Sequence, residues 1–186
     1  MGSGRCGRCD CAFVPPRGEG VLQPRSDLRR NKIAQISVAG KTTLVAIGKL
    51  RGEWKTIYDD YAKRIKPAPV LLDAESPNGL SEKEQNIWEN KWLADNIPQK
   101  SFIVALDRSG KEVSSDIFAE KLSAWQQQNV CFVVGGSHGL DAAIKKKASA
   151  LIAFGQATWP HRLCRIMLIE QIYRAQCIAL GHPYHK

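Results

Sequence analysis

A glycine-rich turn between an apolar strand and a helix is the first segment of the sequence that could hold a ligand. A strand is predicted over 130–134, the turn Gly135-Gly136-Ser137-His138-Gly139 follows it, and a helix is predicted over 140–148. Glycines after a parallel strand let the backbone approach a ligand closely, and the next helix directs its first N–H groups towards it. The turn lacks the glycine spacing of dinucleotide sites and the Gly-Lys-Ser/Thr of a P-loop. Taken alone, it indicates either a ligand site or a tight turn.

The last five residues, His182-Pro183-Tyr184-His185-Lys186, combine groups that suit nucleic-acid chemistry. A tyrosine ring can stack on a base, while histidine and lysine can contact phosphate or move a proton. The segment follows Gly181, which is typical of a helix C-cap. The tail is therefore either placed over a site or a frayed polar end, which is the commoner state of chain termini.

The helix predicted over 161–180 is apolar on nearly all sides. Between Leu163 and Leu180 its clearly polar residues are Arg165, Glu170, Gln171, Arg174 and Gln176. A surface helix carries one apolar stripe, and charges at the middle of this one exclude a membrane span. We therefore expect it to be buried on most sides, partly against a second copy of the chain in a homodimer.

Short apolar runs alternate with helical patterns from Thr42 onwards. Strands are predicted over 44–47, 70–72, 102–106, 130–134 and 150–154, and helices over 53–66, 81–96, 116–127, 140–148 and 161–180. This alternation predicts an α/β domain with a mostly parallel sheet covered by helices on both faces. Within the domain, Ser81 and Glu84 form a capping-box pattern, 108–111 is predicted to be a turn, and Ile117, Leu122 and Trp125 are predicted core anchors.

Residues 1–41 differ in composition from the rest of the chain. They are rich in Gly, Pro, Arg and Cys and show no helix or strand period, so we expect a disordered or non-native leader before a single domain over 42–186. Cys6, Cys9 and Cys11 are one ligand short of a closed zinc site. The formal net charge is +9, but the leader alone holds eight Lys/Arg against three Asp/Glu. Bulk charge is thus weak support for nucleic-acid binding by the domain.

Two features that the sequence lacks, together with the cysteines of the domain, indicate the cellular compartment of the protein. The sequence shows neither an apolar run of about 18 residues nor a secretory signal, which favours a soluble, cytoplasmic protein without a membrane partner. Cys131, Cys164 and Cys177 lie within apolar runs and are predicted to be buried, so no disulfide framework is expected.

Several motifs of the domain, taken together, resemble one enzyme family. The matching stretch runs from Gly135-Gly136 through Pro160-His161, Arg165, Glu170 and Tyr173-Arg174-Ala175 to His182-Pro183-Tyr184-His185. The segments Leu44–Lys49 and Val104–Asp107 resemble the opening and central strands of the same family. The family is that of the ribosomal RNA large subunit methyltransferases H, which are small SPOUT, or trefoil-knotted, methyltransferases. The resemblance covers residues 42–186, whereas residues 1–41 have no counterpart in it.

The resemblance implies a C-terminal trefoil knot that holds S-adenosyl-L-methionine, in a homodimer that joins two such knots. A knot is an exception to the rule that chains do not thread their own loops. Carried over by motif, the cofactor-binding residues would be Leu106, Gly135, Gly136, Gly155, Gln156, Ala157, Thr158, Trp159 and Pro160.

The reaction that the resemblance implies is methylation of N3 of a pseudouridine in helix 69 of 23S rRNA, on the assembled ribosome. The sulfonium methyl is already activated, so no metal is needed; the protein must align N3 with it and help N3 lose its proton. Catalytic candidates are His161, Arg174, Tyr184, His185 and Lys186. We expect His185 and Lys186 near the base, Tyr184 as a stacking group and Arg174 on phosphate or base. His161, like Arg165, could instead serve the knot or the dimer.

Two other functions fit parts of the sequence. A knotted methyltransferase could act on transfer RNA, although the short domain carries no separate RNA-binding module. A non-enzymatic ribosome-binding factor could share the fold, although the glycine turn and the tail argue for an enzyme. Cofactor binding separates the non-enzymatic factor from the enzyme, and a comparison of RNA substrates separates the two methyltransferases.

Overall fold

Five parallel strands form one sheet in the part of the chain that the computed structural model describes, residues 40–185. The strands are β1 (Thr42–Ile47), β2 (Val70–Ala74), β3 (Phe102–Glu112), β4 (Val130–Val134) and β5 (Ala150–Ala153). Their order across the sheet is β2-β1-β4-β3-β5, and each neighbouring pair is parallel. The prediction of an α/β domain with a parallel sheet is confirmed.

Helices cover both faces of this sheet. They are α1 (Gly52–Ala62), α2 (Glu82–Asn96), α3 (Ser115–Trp125), α4 (Ala142–Lys147) and α5 (His161–Leu180). One core cluster joins Leu44 to Leu168 of α5, together with residues of α1 and α3. The second cluster joins Val45 to Leu93 of α2 and Ile144 of α4. Successive strand residues point to opposite faces, so neighbours such as Leu44 and Val45 enter different clusters.

Backbone hydrogen bonds hold the beginning of the described chain beside the sheet. The Gly40 N–H donates to the carbonyl of Gln126 at 3.0 Å, and the Lys41 carbonyl accepts from the Val130 N–H at 3.0 Å. The rest of the predicted leader, with Cys6, Cys9 and Cys11, lies outside the described residues, so the predictions made for it stay predictions.

The turn predicted over 108–111 proved wrong, because strand β3 continues past it. Both Leu106 and Lys111 pair with Ile152 of β5, so the residues between them form a bulge. A Cβ at Gly110 would lie 2.6 Å from the backbone of Ile152. Glycine permits this close approach of the two backbones, and the ladder resumes after the bulge.

One predicted core anchor of helix α3 is also wrong. Ile117 is 45% exposed, whereas its neighbour Phe118 is fully buried. The Ser114 hydroxyl caps α3 by accepting from the Ile117 N–H at 3.3 Å, which fixes where the helix begins. In that register Phe118, Leu122 and Trp125 share the inner face, and Ile117 lies beside it.

Other helix ends agree with the sequence to within a few residues. The capping box of Ser81 and Glu84 is present at the start of α2. Helix α1 ends at Ala62 rather than Lys66, because i→i+3 hydrogen bonds tighten its last turn. Helix α4 is shorter than predicted because Asp141 caps its start.

Helix α5 runs from His161 to Leu180 as predicted, and Gly181 closes it with a φ of +63°. Its buried residues are Arg165, Leu168, Ile169, Ile172, Ala175 and Cys177. They pack against the sheet between α1 and α3, while much of the remaining surface of α5 is half-buried in the single chain. The expected burial against a second copy therefore stays a prediction. None of the helices within residues 40–185 is long and apolar enough to span a membrane.

Candidate functional site

A cavity of about 650 Å³ opens at the carboxyl ends of β3, β4 and β5. We call it the carboxyl-edge cavity; it is walled by the segment 106–108, the glycine turn with its flanks, and the loop that leads from β5 to α5. Eight of the nine residues predicted to bind the cofactor line it: Leu106, Gly135, Gly136, Gly155, Ala157, Thr158, Trp159 and Pro160. The ninth, Gln156, is exposed and does not line it. Parallel strands end at the same edge, which is where ligands of α/β sheets bind.

The glycine turn is tightly closed, and Gly135, Gly136 and Gly139 present bare backbone to this cavity. The Gly139 N–H donates to the Gly136 carbonyl at 3.1 Å, and Gly139 has a φ of +75°. A Cβ at Gly135 would lie 2.7 Å from the Gly139 backbone, and a Cβ at Gly136 only 2.3 Å from Oε2 of Glu89. His138 is exposed at the rim. The fold itself requires small residues here, and the same property lets a ligand approach.

Asp141 alters one expectation about the helix behind the turn. Its carboxylate accepts from the Ile144 N–H at 2.7 Å, and α4 is only six residues long. One of the N–H groups that the sequence offered to a ligand is therefore already satisfied.

The loop after β5 is held in shape by one side chain. The indole N–H of Trp159 donates to the carbonyl of Phe154 at 3.0 Å, so the ring spans the loop. Gly155, between them, has a φ of +93°, a conformation that glycine adopts without strain. The loop is thus pinned at both ends around the residues that line the cavity.

An ion pair lies at the rim of the cavity. Lys145 Nζ is 2.6 Å from the carboxylate of Asp107, which also accepts from the N–H and hydroxyl of Ser109. Partial burial alone would raise the pKa of Asp107, but the hydrogen bonds from Lys145 and Ser109 outweigh it and hold the pKa below its usual value. The rim therefore carries a fixed carboxylate and a fixed ammonium.

His161 lies at the inner end of the cavity, at the start of α5. Its ring packs on Gly48, where a Cβ would be 2.6 Å from Nε2. Burial, followed by the charges of Arg165 and Arg162, lowers the pKa of His161 below 6.5. The imidazole is therefore neutral near pH 7 and able to accept a proton.

Arg165 is buried one turn after His161 on α5 and makes its contacts within the fold. It is fully buried, its Nη1 lies 3.5 Å from Asp73 of β2, and its Nε donates to the carbonyl of His161 at 3.4 Å. Asp73 also accepts from the Leu50 N–H at 3.0 Å. Burial lowers the pKa of Arg165 to about 10, so it remains charged. The pair ties the start of α5 to the carboxyl edge of the sheet.

Three other predicted catalytic residues, Arg174, Tyr184 and His185, gather around Glu170, and we call these four residues the tail cluster. The Arg174 guanidinium donates through Nε and Nη2 to Oε1 of Glu170, at 2.9 and 2.5 Å. The Tyr184 hydroxyl donates to the same oxygen at 3.0 Å, and its ring lies 4.8 Å from the guanidinium carbon of Arg174. The chain after Gly181 therefore folds back on α5 instead of fraying.

His185 completes the tail cluster. Its Nδ1 lies 3.5 Å from Nη1 of Arg174, and its Nε2 lies 3.3 Å from the carboxylate of Asp116. Burial, then hydrogen bonds to Tyr61 and Glu170, raises the pKa of Tyr184. The hydrogen bonds to Glu170 raise the pKa of Arg174, so its charge is secure. Lys186, also predicted to act here, lies outside the described residues.

The carboxyl-edge cavity and the tail cluster do not meet within one chain. His161 and Arg174 both lie on α5, thirteen residues apart, which at 1.5 Å per residue places them about 20 Å from each other. The structure thus collects the predicted residues into two sites instead of one.

Two polar residues belong to these sites although their roles were not predicted. Asp107 directly follows the apolar part of β3, and polar residues at that strand end are a signal for a ligand edge. Glu170 precedes Arg174 by four residues, the spacing of neighbours on a helix face. Within residues 40–185 no group of three or more His, Cys, Asp or Glu side chains is arranged to hold a metal ion.

The fold and its cavity define a class: an α/β domain with a cleft of small-molecule size where a glycine turn meets the carboxyl ends of its strands. The model of the family described as predicted SPOUT methyltransferase matches residues 41–185. The chain belongs to the SPOUT methyltransferase family.

Proteins named ribosomal RNA large subunit methyltransferase H are similar over most of the chain. The one from Bradyrhizobium diazoefficiens is 48% identical over 158 residues, covering 78% of this chain and 99% of its own length. The one from Paramagnetospirillum magneticum is 36% identical over 147 residues, with coverage of 77% and 97%. A relative from Clostridium botulinum is 35% identical over 156 residues, with coverage of 77% and 98%.

Proposed function

We propose that this protein uses S-adenosyl-L-methionine to methylate N3 of a pseudouridine in helix 69 of 23S rRNA, on the assembled ribosome. The names of the relatives support a large-subunit ribosomal RNA as substrate. The target nucleotide is what the resemblance implies, which rests on motifs such as Gly135-Gly136, Arg174 and His182-Pro183-Tyr184-His185. The observation that carries the proposal is the carboxyl-edge cavity, where segments distant in sequence bring together eight of the nine residues predicted for the cofactor.

The shape and charge of the carboxyl-edge cavity suit this cofactor. Its volume of about 650 Å³ lies within the range of small-molecule clefts, about 300–1,000 Å³. The bare backbone at Gly135-Gly136 and Gly155 leaves room for a flat adenine, and Asp107 with Lys145 offers both signs of charge to a zwitterionic amino acid. When bound, the cofactor supplies an activated methyl group on a positively charged sulfur.

The residues of the chain then have to orient the base and remove the N3 proton. Arg174, charged and held by Glu170, can stabilise negative charge on the base as the proton leaves. Tyr184, fixed by the same carboxylate, can position the ring, and His185 can hold or move a proton beside Arg174. Neutral His161 is the corresponding proton acceptor at the cavity.

A homodimer would bring the two sites together. Because about 20 Å of α5 separates His161 from Arg174 within one chain, the tail cluster of one subunit can face the carboxyl-edge cavity only of another. The half-buried surface of α5 supports such packing. We propose that each active site combines the cavity of one subunit, shaped by a trefoil knot, with the tail cluster of its partner.

A methyl-transfer assay with labelled cofactor tests the proposed function. Ribosomes that lack the modification, isolated large subunits, free 23S rRNA and transfer RNA would be compared, and the labelled nucleotide located by digestion and mass spectrometry. We expect label on N3 of the pseudouridine, mainly on whole ribosomes. Label on transfer RNA alone, or cofactor binding without transfer to any of these, would overturn the proposal.

A further inference from the structure

We infer that an RNA-binding surface continues from the tail cluster onto helix α1 and holds nucleotides that flank the methylated one. The inference rests on the proposed function, because it assumes an RNA substrate. The surface, which we call the arginine–tyrosine ladder, consists of Arg64, Tyr61, Tyr173, Tyr184 and Arg174. No role had been assigned to Tyr61 or Arg64 from the sequence.

Direct contacts connect the members of the ladder. The rings of Tyr61 and Tyr173 lie 5.9 Å apart, and those of Tyr173 and Tyr184 lie 4.8 Å apart. The Tyr61 and Tyr184 hydroxyls are 3.4 Å from each other. Three tyrosines therefore form one continuous group between α1, α5 and the tail.

A guanidinium lies at each end of this tyrosine group. The Arg64 guanidinium carbon is 5.9 Å from the Tyr61 ring centre and 5.8 Å from that of Tyr173. At the other end, the Arg174 guanidinium carbon is 4.8 Å from the Tyr184 ring. All three distances allow a cation–π interaction, which keeps each guanidinium against aromatic faces. The ladder thus places a planar cation at each end of three connected aromatic rings.

The charge at the α1 end of the ladder is positive. Lys63, Arg64 and Lys66 are exposed there, and one carboxylate, that of Asp60, pairs with both Lys63 and Arg64. Lys66 has no ion-pair partner among residues 40–185. The segment therefore keeps an excess of positive charge next to half-buried tyrosine rings.

This combination matches the chemistry of a single-stranded RNA segment. Proteins hold unpaired bases by stacking them on aromatic rings or guanidinium planes, and they hold the backbone with nearby cations. Arg174 at one end of the ladder is the proposed catalytic arginine, so the chain of contacts leads from the reacting base to Arg64. A nucleotide bound at Arg64 would be a neighbour of the methylated one in the same loop.

Charge reversal at Arg64 tests this surface. The variant is Arg64→Glu, and the matched control is Lys91→Glu on α2, an exposed charge reversal on the opposite face of the sheet. Steady-state methylation of ribosomes, equilibrium binding of a labelled RNA hairpin containing the target loop without cofactor, and calorimetry with S-adenosylmethionine would be measured for each. Arg64→Lys, which keeps the charge but loses the planar stack, separates the two contributions.

We expect Arg64→Glu to raise the KM for ribosomes and weaken hairpin binding by about tenfold, and to reduce the salt slope of binding by about one. The kcat and the cofactor affinity of Arg64→Glu should stay near the wild-type values. The control Lys91→Glu should leave KM, hairpin affinity, kcat and cofactor affinity unchanged. The KM and hairpin affinity of Arg64→Lys should lie between those of Arg64→Glu and the wild type. If Arg64→Glu unfolds the protein, Arg64→Gln replaces it, with a smaller loss in the same direction.

Two results would overturn the inference while leaving the proposed function intact. One is wild-type methylation with unchanged KM and hairpin affinity in the folded Arg64 variants. The other is a change of oligomeric state in Arg64→Glu by sedimentation, which would make this surface a protein contact. If the wild-type protein itself fails to methylate ribosomes, the proposed function fails first.

Discussion

The carboxyl-edge cavity lies at the start of helix α5, and the tail cluster lies further along the same helix. The two regions are built in different ways. The cavity owes its shape to backbone: glycines at 135, 136 and 155 stand where side chains would collide or be strained. The tail cluster owes its geometry to side chains, with one carboxylate, Glu170, holding both Arg174 and Tyr184. A site of the first kind is sensitive to added volume, whereas a site of the second kind is sensitive to lost charge.

The largest effect is expected from removing the charge of the tail cluster. Arg174→Ala should lower kcat for ribosome methylation by about 10²–10³-fold, the usual cost of losing a group that stabilises developing charge. Calorimetry should show unchanged cofactor affinity, because Arg174 is proposed to act on the base and does not line the cavity. A parallel loss of cofactor affinity would erase the distinction between the two regions.

Arg165 should behave differently, since it supports the helix that carries both regions. Arg165→Met leaves Asp73 without its buried cation and should lower the free energy of unfolding by about 3 kcal/mol, the low end for such pairs because Asp73 is partly exposed. Arg162→Met is the control: its side chain is 43% exposed and 3.8 Å from Glu75, so we expect a loss below about 1 kcal/mol. Equal losses in thermal or denaturant unfolding would contradict a structural role for Arg165.

Added volume should damage the cavity and spare the tail cluster. Ala157 is exposed and lines the cavity, so Ala157→Trp should leave the fold intact and fill the space. We expect cofactor affinity to fall at least about tenfold, which is 1.4 kcal/mol of binding free energy. Gln156→Trp, one residue away and outside the lining, should bind as wild type does. Calorimetry on both variants decides, and equal affinities would remove Ala157 from the site.

The smallest effect concerns protonation at the inner end of the cavity. Burial and the neighbouring arginines lower the pKa of His161 below 6.5 in the folded chain, so the unfolded chain takes up a proton first as the pH falls. The stability that neutral His161 contributes is therefore complete above about pH 6.5 and is lost below it, down to the folded-state pKa. An NMR titration of the imidazole, with His161→Asn for assignment, should give a value below 6.5. A value above 6.5 would be incompatible with this environment.

Local sequence patterns predicted most of the fold, because helix caps and apolar strands depend on residues that are close together in the sequence. The capping box at Ser81 and the apolar runs of the strands each predicted their element correctly. Two errors came from features that only the tertiary structure fixes. The close approach of Gly110 to Ile152 extends β3, and the cap at Ser114 selects Phe118 over Ile117 for the core.

The candidate site could be predicted only in part. Strand ends and glycines pointed to the cavity, since parallel topology places them at one edge. The 20 Å between His161 and Arg174 follows from the length of α5, yet the direction in which the tail returns is set by Glu170 and Asp116, which no sequence period reveals. The sequence therefore pointed to most residues of both regions, but not to the roles of Asp107 and Glu170 or to the separation of the two regions.

Mixing two inactive variants tests the two-region account most directly. Ala157→Trp blocks the cavity and Arg174→Ala disables the tail cluster, so neither protein alone should methylate ribosomes well. After equal amounts are unfolded together and refolded, half of the dimers are mixed, and each has one intact composite site; the account predicts recovery to about a quarter of wild-type activity. No recovery, although mass spectrometry of the intact dimers shows that mixed dimers have formed, would contradict it and place both halves of each active site within one chain.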